Sequence, residues 1–266
     1  MPDKLLPLEE AAALVPSGCL LAFGGMTIYR RPMAFVRALL RRFYTTGEPR
    51  DLTLVSFTSG MESDLLVGAG LVRCVRTCYF GLEIFGLAPM FTYYANRGEL
   101  IIMEETEASL ALGLRAGIAR LGFMPGRAWL GTDLPRLRPD VKTIQDPYTG
   151  ETLMAFPAIR PDVSVIHTIQ SDPEGNAVIG GNKGVDEELL MASEMVLLTA
   201  EEIQPEMRRS DLIGPTVRAV SLVPNGARPT SCHPLYALDG EALLAYSEEV
   251  SNPETFQTFI QRWLSV

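Results

Sequence analysis

The sequence predicts an α/β protein with an open, largely parallel, doubly wound sheet and helices on both faces. Short continuous apolar runs, typical of buried strands, alternate with segments whose apolar residues recur at helical spacing. Glycine and proline separate many of these segments, as expected of turns. The 266 residues contain no internal repeat, low-complexity segment or linker. We therefore expect a single domain over residues 1–266.

The first predicted strand and its flanking segments define the repeating unit. Residues 8–14 have helical spacing, and Pro16-Ser17-Gly18 ends that helix. The short apolar run 19–23 predicts a buried strand that ends at Gly24. From Pro32 the apolar residues again recur at helical spacing, and a first helical turn tolerates the proline. The unit is therefore a strand, a glycine turn and a helix.

The same unit recurs along the chain. Further apolar runs predict strands over 52–57, 72–79, 100–103, 163–169 and 195–199. Helical spacing predicts helices over 63–69, 88–97, 108–120 and 186–193. The stretches 132–148 and 224–239 are rich in proline and polar residues, so we predict two long ordered loops or a cap over the sheet. In such sheets, ligands bind where strands end and turns begin.

Composition argues against several classes of function. A net charge of −9 argues against a nucleic-acid partner, because phosphate binding needs clustered lysine and arginine. No apolar run approaches the roughly 18 residues of a membrane span, and the first residues lack the blocks of a signal peptide. We therefore expect a cytoplasmic protein with no membrane partner. Four cysteines without a CxxC pair, and only two histidines, predict reduced thiols and no metal site.

The turn after the first predicted strand is the first candidate site. Two glycines there let the backbone approach a ligand and aim N–H groups at a developing oxyanion, the donors being Gly24, Gly25 and Met26. The stretch matches neither a dinucleotide GxGxxG nor a phosphate-binding GxxxxGK[ST], so it predicts neither NAD nor ATP. A plain strand-to-helix turn is the alternative explanation.

Three stretches together resemble one protein family. Residues 23–32, which begin Phe-Gly-Gly and end at a proline, are similar to the glycine turn near the start of glutaconate CoA-transferase A subunits. Residues 172–176 resemble the Asp-x-x-Gly-Asn turn of the wider class of two-subunit CoA-transferases. Residues 218–236 and the tail 256–263 look like the C-terminal part of the glutaconate-type A subunits. Because the resemblance covers nearly the whole chain in the same order, the chain is identified as a member of this family.

The resemblance implies an α/β chain that shares its active site with a homologous B subunit, in a heterodimer or heterotetramer. The substrate is then an acyl-CoA thioester, so coenzyme A enters as part of the substrate and no cofactor is permanently bound. In the transferases the nucleophilic glutamate belongs to the B subunit, and the A subunit supplies backbone donors near its glycine turn. The substrate-binding positions implied here are Thr27, Tyr29, Arg31, Phe80, Gly81, Leu82, Ile84 and Phe85.

Two departures from the family pattern bear on the reaction. Met26 replaces an expected aromatic residue, and residues 79–87 are largely apolar where the glutaconate enzymes carry a more polar, serine-containing stretch. Apolar walls leave the free carboxylate of a dicarboxylic acyl-CoA poorly solvated, which favours loss of CO2. The sequence therefore leans towards the family branch that converts 3-methylglutaconyl-CoA to 3,3-dimethylacrylyl-CoA.

Four other functions stay open from the sequence. One is CoA transfer between a glutaconate-like acid and an acyl-CoA, using the glutamate of the B subunit. Ring-opening hydrolysis of an acyl-CoA, as in steroid catabolism, is a second, and non-catalytic binding of an acyl-CoA is a third. A sugar-phosphate isomerase of similar architecture is the fourth, and its only support is Asn182-Lys183-Gly184.

Charged residues add further candidates. Glu83 is either a strand-end carboxylate that faces water or a buried acid that moves a proton. Glu104 and Glu107 precede or open a helix, where capping explains them, although the resemblance to the steroid hydrolases implies a catalytic acid in this region. His167 lies within an apolar strand and is predicted to be a core residue. A basic cluster forms either a solvated helix face or a contact to CoA phosphates or to the partner: Arg30, Arg31, Arg37, Arg41 and Arg42.

Overall fold

The computed structural model describes residues 4–265. Its strands are β1 (Leu20–Phe23), β2 (Leu52–Ser56), β3 (Val72–Thr77), β4 (Ile101–Glu104), β5 (Phe123–Gly126), β6 (Lys142–Gln145), β7 (Thr152–Pro157), β8 (Val163–Ser171), β9 (Ala177–Val178), β10 (Met195–Ile203) and β11 (Val217–Leu222). Its helices are α1 (Leu8–Ala13), α2 (Met33–Thr46), α3 (Met61–Ala69), α4 (Pro89–Arg97), α5 (Glu107–Ile118), α6 (Leu134–Leu137), α7 (Asp186–Ala192), α8 (Gly240–Glu249) and α9 (Pro253–Ser265).

The central sheet has seven parallel strands in the order β11-β10-β8-β1-β2-β3-β4, and the short β9 pairs antiparallel with β8. From β1 the chain adds β2, β3 and β4 on one side, whereas β8, β10 and β11 lie on the other side. The direction of winding therefore reverses between β8 and β1. In open α/β sheets, ligands bind outside the carboxyl ends of the strands at such a reversal. The fold thus directs attention to the turn that follows β1.

The central sheet separates two hydrophobic clusters, because neighbouring residues of a strand point to opposite faces. In β1, Leu21 and Phe23 pack in the cluster that contains residues of α1, α2, α3, α8 and α9. Ala22 packs in the other cluster, with residues of α5 and α7. Helices therefore cover both faces, which confirms the predicted doubly wound sheet.

Most predicted elements are confirmed, and most of their ends agree within two residues. The prediction of a long loop or cap over 132–148 is wrong. This stretch contains α6 and β6, and β6 joins β7 and β5 in a separate three-stranded antiparallel sheet. All four residues of β6 are exposed, so the strand lacks the apolar run by which strands are predicted. Among residues 4–265, no helix is both long and apolar enough to span a lipid bilayer.

Candidate active site

Close backbone packing requires both glycines of the turn after β1. Gly25 has a φ of 79°, and a Cβ atom placed on it would lie 2.5 Å from the carbonyl oxygen of Arg30. A Cβ atom on Gly24 would lie 2.7 Å from Oδ1 of Asp186. These distances are far below a normal carbon–oxygen contact, so a larger residue at either position would force the turn open.

The three backbone N–H groups predicted to be oxyanion donors already donate hydrogen bonds within the chain. The N–H groups of Gly24, Gly25 and Met26 donate, each at 2.9 Å, to the carbonyl oxygen of Val165, Oδ1 of Asp186 and the carbonyl oxygen of Tyr29, respectively. A donor that is bonded within the protein stabilises a developing oxyanion only if that bond is first broken. In this conformation the three amides hold the turn together, and their role as oxyanion donors stays a prediction.

Two consecutive arginines anchor the glycine turn through buried ion pairs. Arg30 donates to Oδ2 of Asp186 at 2.6 Å and to the carbonyl oxygen of His167 at 2.5 Å. Arg31 is paired with Glu62 and also donates to the carbonyl oxygen of Gly25 at 3.0 Å. All four charged side chains are inaccessible to solvent. Arg31 therefore has a structural role in the turn, and its contact with substrate stays a prediction.

The acids of these pairs join three parallel strands at their carboxyl ends. Asp186 is the first residue of α7 and ties the turn after β1 towards β8. Glu62 lies in the first turn of α3, after β2, and also accepts from the N–H of Gly60 at 3.0 Å. Neither acid is identified as a site residue from the sequence. Asp186 is 156 residues from Arg30, and no local pattern reports a pairing over that distance.

The accessible surface beside the glycine turn is aromatic and sulfur-containing. We define the strand-end rim as Met26, Phe57, Cys78, Tyr79 and Phe80, which follow β1, β2 and β3 and are half-buried or exposed. The Cys78 thiol donates to the carbonyl oxygen of Phe57 at 2.7 Å, and Phe80 stacks on Phe91 with ring centroids 4.1 Å apart. The N–H of Thr27, a buried residue, donates to Oγ1 of Thr58 at 3.0 Å and joins the ends of β1 and β2.

The segment after the rim divides into a buried and an exposed part. Gly81 and Leu82 are buried, and Leu82 belongs to the hydrophobic core with no exposed surface. The predicted contact of Leu82 with substrate is therefore wrong. Ile84 is 89% exposed, Phe85 is half-buried, and Glu83 is exposed on a turn with φ of 56°. Glu83 therefore faces water and is not the buried acid of the alternative interpretation.

Tyr29 occupies a half-buried position on the β8 side of the turn. Its hydroxyl donates to the carbonyl oxygen of Ile179 at 3.4 Å. The backbone of Tyr29 also exchanges hydrogen bonds with Met26 within the turn. The side chain therefore lies beside the predicted site, and its contact with substrate stays a prediction.

The acidic residues around β4 have distinct roles. Glu105 is buried and pairs with Arg76 at 2.6 Å and Arg138 at 2.9 Å, so it is structural. Glu107 is exposed in the first turn of α5, whose N-cap is Thr106. Burial raises the pKa of the Cys78 thiol to about 11, and the negative charge of Glu107 contributes to this rise. Glu107 is therefore a solvent-accessible carboxylate within electrostatic range of the rim.

A second polar cluster lies where β8 and β10 meet the loop 224–239. His167 is fully buried, with Nδ1 2.8 Å from Oγ1 of Thr199 and Nε2 2.8 Å from Oε1 of Glu201. Burial lowers the pKa of His167, and the hydrogen bond from Glu201 offsets only part of this effect. The hydroxyl of Tyr236 donates to Glu201 and accepts from the N–H of Ala227 at 3.1 Å. His167 is thus a hydrogen-bonded core residue, as its position in an apolar strand predicts.

This second cluster is also a group of possible metal ligands within residues 4–265. Ligand atoms of His167, Glu201 and Cys232 lie within 4.8 Å of one another. However, Glu201 already accepts from His167, from Tyr236 and from the N–H groups of Asn225 and Gly226. Burial raises the pKa of Cys232 to about 11, which disfavours the thiolate that a metal requires. The donor set therefore fits a hydrogen-bond network better than a metal centre.

Lys183, the lysine of the segment that suggested a sugar-phosphate site, forms ion pairs with two acidic residues. Nζ of Lys183 lies 2.5 Å from Oε1 of Glu187 and 3.0 Å from Oδ1 of Asp211. The Asp172 turn is likewise closed, because its carboxylate accepts from the N–H groups of Glu174 and Asn176. The lysine on which the isomerase alternative depends is therefore already paired with two acids, so that alternative loses its support.

The chain belongs to the coenzyme A transferase family, since the model of that family, described as "Coenzyme A transferase", matches residues 6–214. Within the family it is of the A type. It is 34% identical over 269 residues to the A subunit of 3-oxoadipate CoA-transferase from Pseudomonas knackmussii, with 98% of this chain and 93% of that protein covered.

Two solved structures of the same family have the same fold. The "decarboxylase AibA/AibB C56S variant" has a TM-score of 0.88 and 30% identity, with 97% of this chain and 98% of that chain covered. Glutaconate coenzyme A-transferase from Acidaminococcus fermentans has a TM-score of 0.90 and 28% identity, with 98% and 88% covered. These matches confirm the predicted resemblance and the predicted fold class.

Proposed function

We propose that this chain, together with a homologous B subunit, decarboxylates a short unsaturated dicarboxylic acyl-CoA such as 3-methylglutaconyl-CoA. The site would lie at the strand-end rim, and the B subunit would close it. The similarity to the AibA/AibB decarboxylase over nearly the full length of both chains supports this choice. Coenzyme A would enter as part of the substrate.

The state of the cations beside the rim is the observation that carries the proposal. Within residues 4–265, the two arginines of the glycine turn and the arginine near the carboxyl end of β3 are ion-paired: Arg30 with Asp186, Arg31 with Glu62, Arg76 with Glu105. The accessible rim itself contains aromatic and sulfur groups. A substrate carboxylate placed there would meet no positive charge among the five rim residues, and the three nearby arginines named above are already paired with acids. Its poor solvation would favour its departure as CO2.

The proposed reaction balances without a redox partner. The bond between the substrate's distal CH2 group and its carboxylate carbon breaks, and CO2 leaves. The electron pair spreads through the adjacent double bond to the thioester oxygen as a dienolate. One proton then adds to the former CH2 carbon, which yields 3,3-dimethylacrylyl-CoA. The reaction thus needs an oxyanion donor and a proton source.

Glu107 is proposed to pass the proton from water to the former CH2 carbon. That carboxylate is solvent-accessible, and its charge acts on Cys78 within the rim. The oxyanion donor would come from the B subunit, because the amides of Gly24, Gly25 and Met26 are already bonded. Cys78 is not proposed as a nucleophile, since its raised pKa keeps it a thiol.

The assembled complex with its B subunit is the sample for the test. Incubation with 3-methylglutaconyl-CoA should release CO2 and form 3,3-dimethylacrylyl-CoA, measured by mass spectrometry. Glu107→Gln should reduce the turnover about a hundredfold or more, whereas Glu99→Gln, an exposed acid before β4, should retain it. Intact substrate after prolonged incubation would exclude decarboxylation, and full activity of Glu107→Gln would exclude the proton role.

CoA transfer is the second candidate function, favoured by the similarity to the 3-oxoadipate CoA-transferase chain. A transferase would exchange CoA between an acyl-CoA and a free dicarboxylic acid, through a glutamate of the B subunit. Incubation of the complex with glutaconate or 3-oxoadipate and an acyl-CoA donor tests it directly. New dicarboxylic acyl-CoA without CO2 would favour transfer, while free coenzyme A would indicate the hydrolase alternative. Binding without turnover would indicate a non-catalytic role.

A further inference from the structure

In the basic cluster predicted from the sequence, Arg37 differs from the other exposed or half-buried arginines, because within residues 4–265 it has neither an ion pair nor a hydrogen bond to a backbone carbonyl, whereas Arg42 also pairs with Glu48 at 3.9 Å. Arg30 and Arg31 form buried ion pairs with Asp186 and Glu62, respectively. Arg41 donates to the carbonyl oxygen of Leu264, and Arg42 donates to the carbonyl oxygens of Ala12 and Val15. For Arg37, the part of the chain from 4 to 265 shows no ion pair, and its buried Nε has no hydrogen-bond partner.

Arg37 borders a cavity between α2, α3, α8, α9 and the loop 224–239. The cavity has a volume of about 370 Å³ and is lined by Arg37, Met61, Arg228, Pro229, Asp239, Ala242, Ala245, Phe259, Arg262 and Trp263. The guanidinium of Arg37 lies over the Trp263 ring, 4.3 Å from its centroid. This stacking fixes the guanidinium plane and leaves its N–H groups for a ligand. The size suits a small organic molecule.

The charges around the cavity select the ligand. Arg262 is neutralised by Glu249. Arg228 donates to Oδ1 of Asn225 at 3.2 Å, which is an uncharged acceptor, and Asp239 supplies one negative charge. Together with Arg37, the lining therefore has an excess of about one positive charge. A monoanion matches this excess, whereas the second charge of a phosphate would meet the Asp239 carboxylate without compensation.

The apolar residues of the lining indicate which kind of group the uncharged part of the ligand should have. Phe259, Trp263 and Met61 offer aromatic and thioether surface, and Ala242 and Ala245 leave room between the helices. We infer that this cavity binds a small monocarboxylate with an apolar or aromatic body, whose carboxylate accepts from Arg37 and whose body packs on Trp263. The site shares no residue with the strand-end rim, and its occupation is independent of the reaction proposed there.

The test uses the assembled complex and benzoate, with benzamide as the neutral analogue and inorganic phosphate as the small anion. Isothermal titration calorimetry should detect benzoate binding, with benzamide and phosphate markedly weaker. Trp129→Phe leaves Trp263 as the one tryptophan of this chain, so a benzoate-dependent change in a difference spectrum against Trp129→Phe/Trp263→Phe reports the cavity directly.

Arg37→Met removes the charge and keeps the length of the side chain. It should weaken benzoate binding about tenfold or more, as expected for a charge-assisted hydrogen bond. Arg50→Met, which removes an exposed arginine outside the cavity, is the matched control and should bind benzoate as the wild type does. Equal affinity of wild type and Arg37→Met, equal affinity for benzoate and benzamide, or no binding at millimolar benzoate would each overturn the proposal.

Discussion

The glycine turn and the His167 cluster are both buried polar regions at the carboxyl side of the sheet, but different chemistry holds them. Two arginine–carboxylate pairs anchor the turn, and all four charged side chains are inaccessible to solvent. The His167 cluster depends on a neutral imidazole and a hydroxyl beside one carboxylate. The first region should therefore be sensitive to loss of a charge, and the second should be sensitive to pH.

The largest effect is expected when a pair in the turn is broken. Asp186→Ala leaves the buried charge of Arg30 uncompensated and removes the acceptor of the Gly25 N–H. The free energy of unfolding, measured by urea denaturation, should fall by about 3–5 kcal/mol. Glu194→Ala breaks the exposed Arg120 pair instead and should cost less than about 1 kcal/mol. Similar losses in the two variants would contradict the structural role of the buried pair.

A smaller loss is expected from a methyl group at the turn. Gly25→Ala combines a left-handed backbone with a Cβ atom 2.5 Å from the carbonyl oxygen of Arg30. Gly18 has a similar φ of 76°, but a Cβ atom there meets no atom within 4 Å. Thermal unfolding should show a loss of about 1 kcal/mol for Gly18→Ala and at least about 1 kcal/mol more for Gly25→Ala. Equal losses would mean that the turn relaxes freely.

The second region can be weakened without removing a charge. Tyr236→Phe deletes the hydroxyl that donates to Glu201 and accepts from the N–H of Ala227. The unpaired amide should cost about 1–3 kcal/mol in urea denaturation. Tyr148→Phe alters a tyrosine that is 96% exposed and should be neutral. If Tyr236→Phe were neutral as well, the hydroxyl would not stabilise the loop.

The smallest effect is the pH dependence of the second region. The folded pKa of His167 is lowered by burial, so the unfolded chain binds the proton more readily. Stability from this group is therefore present at neutral pH and is lost as the pH falls below the ordinary value of 6.5. His167→Gln should flatten the stability profile over this range, measured by urea denaturation at a series of pH values. A flat wild-type profile would contradict the neutral buried histidine.

Local patterns were sufficient to predict the central fold. The apolar run 19–23, the Gly24-Gly25 turn and the helix from Pro32 all follow from residues within a few positions of one another. The small sheet of β5, β6 and β7 escaped prediction because β6 is fully exposed and neither β5 nor β7 has a continuous buried run. Helix α8 was not predicted, and residues 256–263 of α9 were noted only through the family resemblance.

By itself, the sequence determined the alternating α/β architecture, the family and the position of the glycine turn, because these depend on local spacing and on motifs in a fixed order. The tertiary structure decided which groups are free. It paired Arg30 and Arg31 with acids that lie farther along the chain, and it bonded the amides of the turn to other atoms of the chain. It also buried Leu82 and, among residues 4–265, placed no acid in an ion pair with Arg37. Hydrogen bonds and ion pairs are short-range, so their partners are known only once distant segments are packed together.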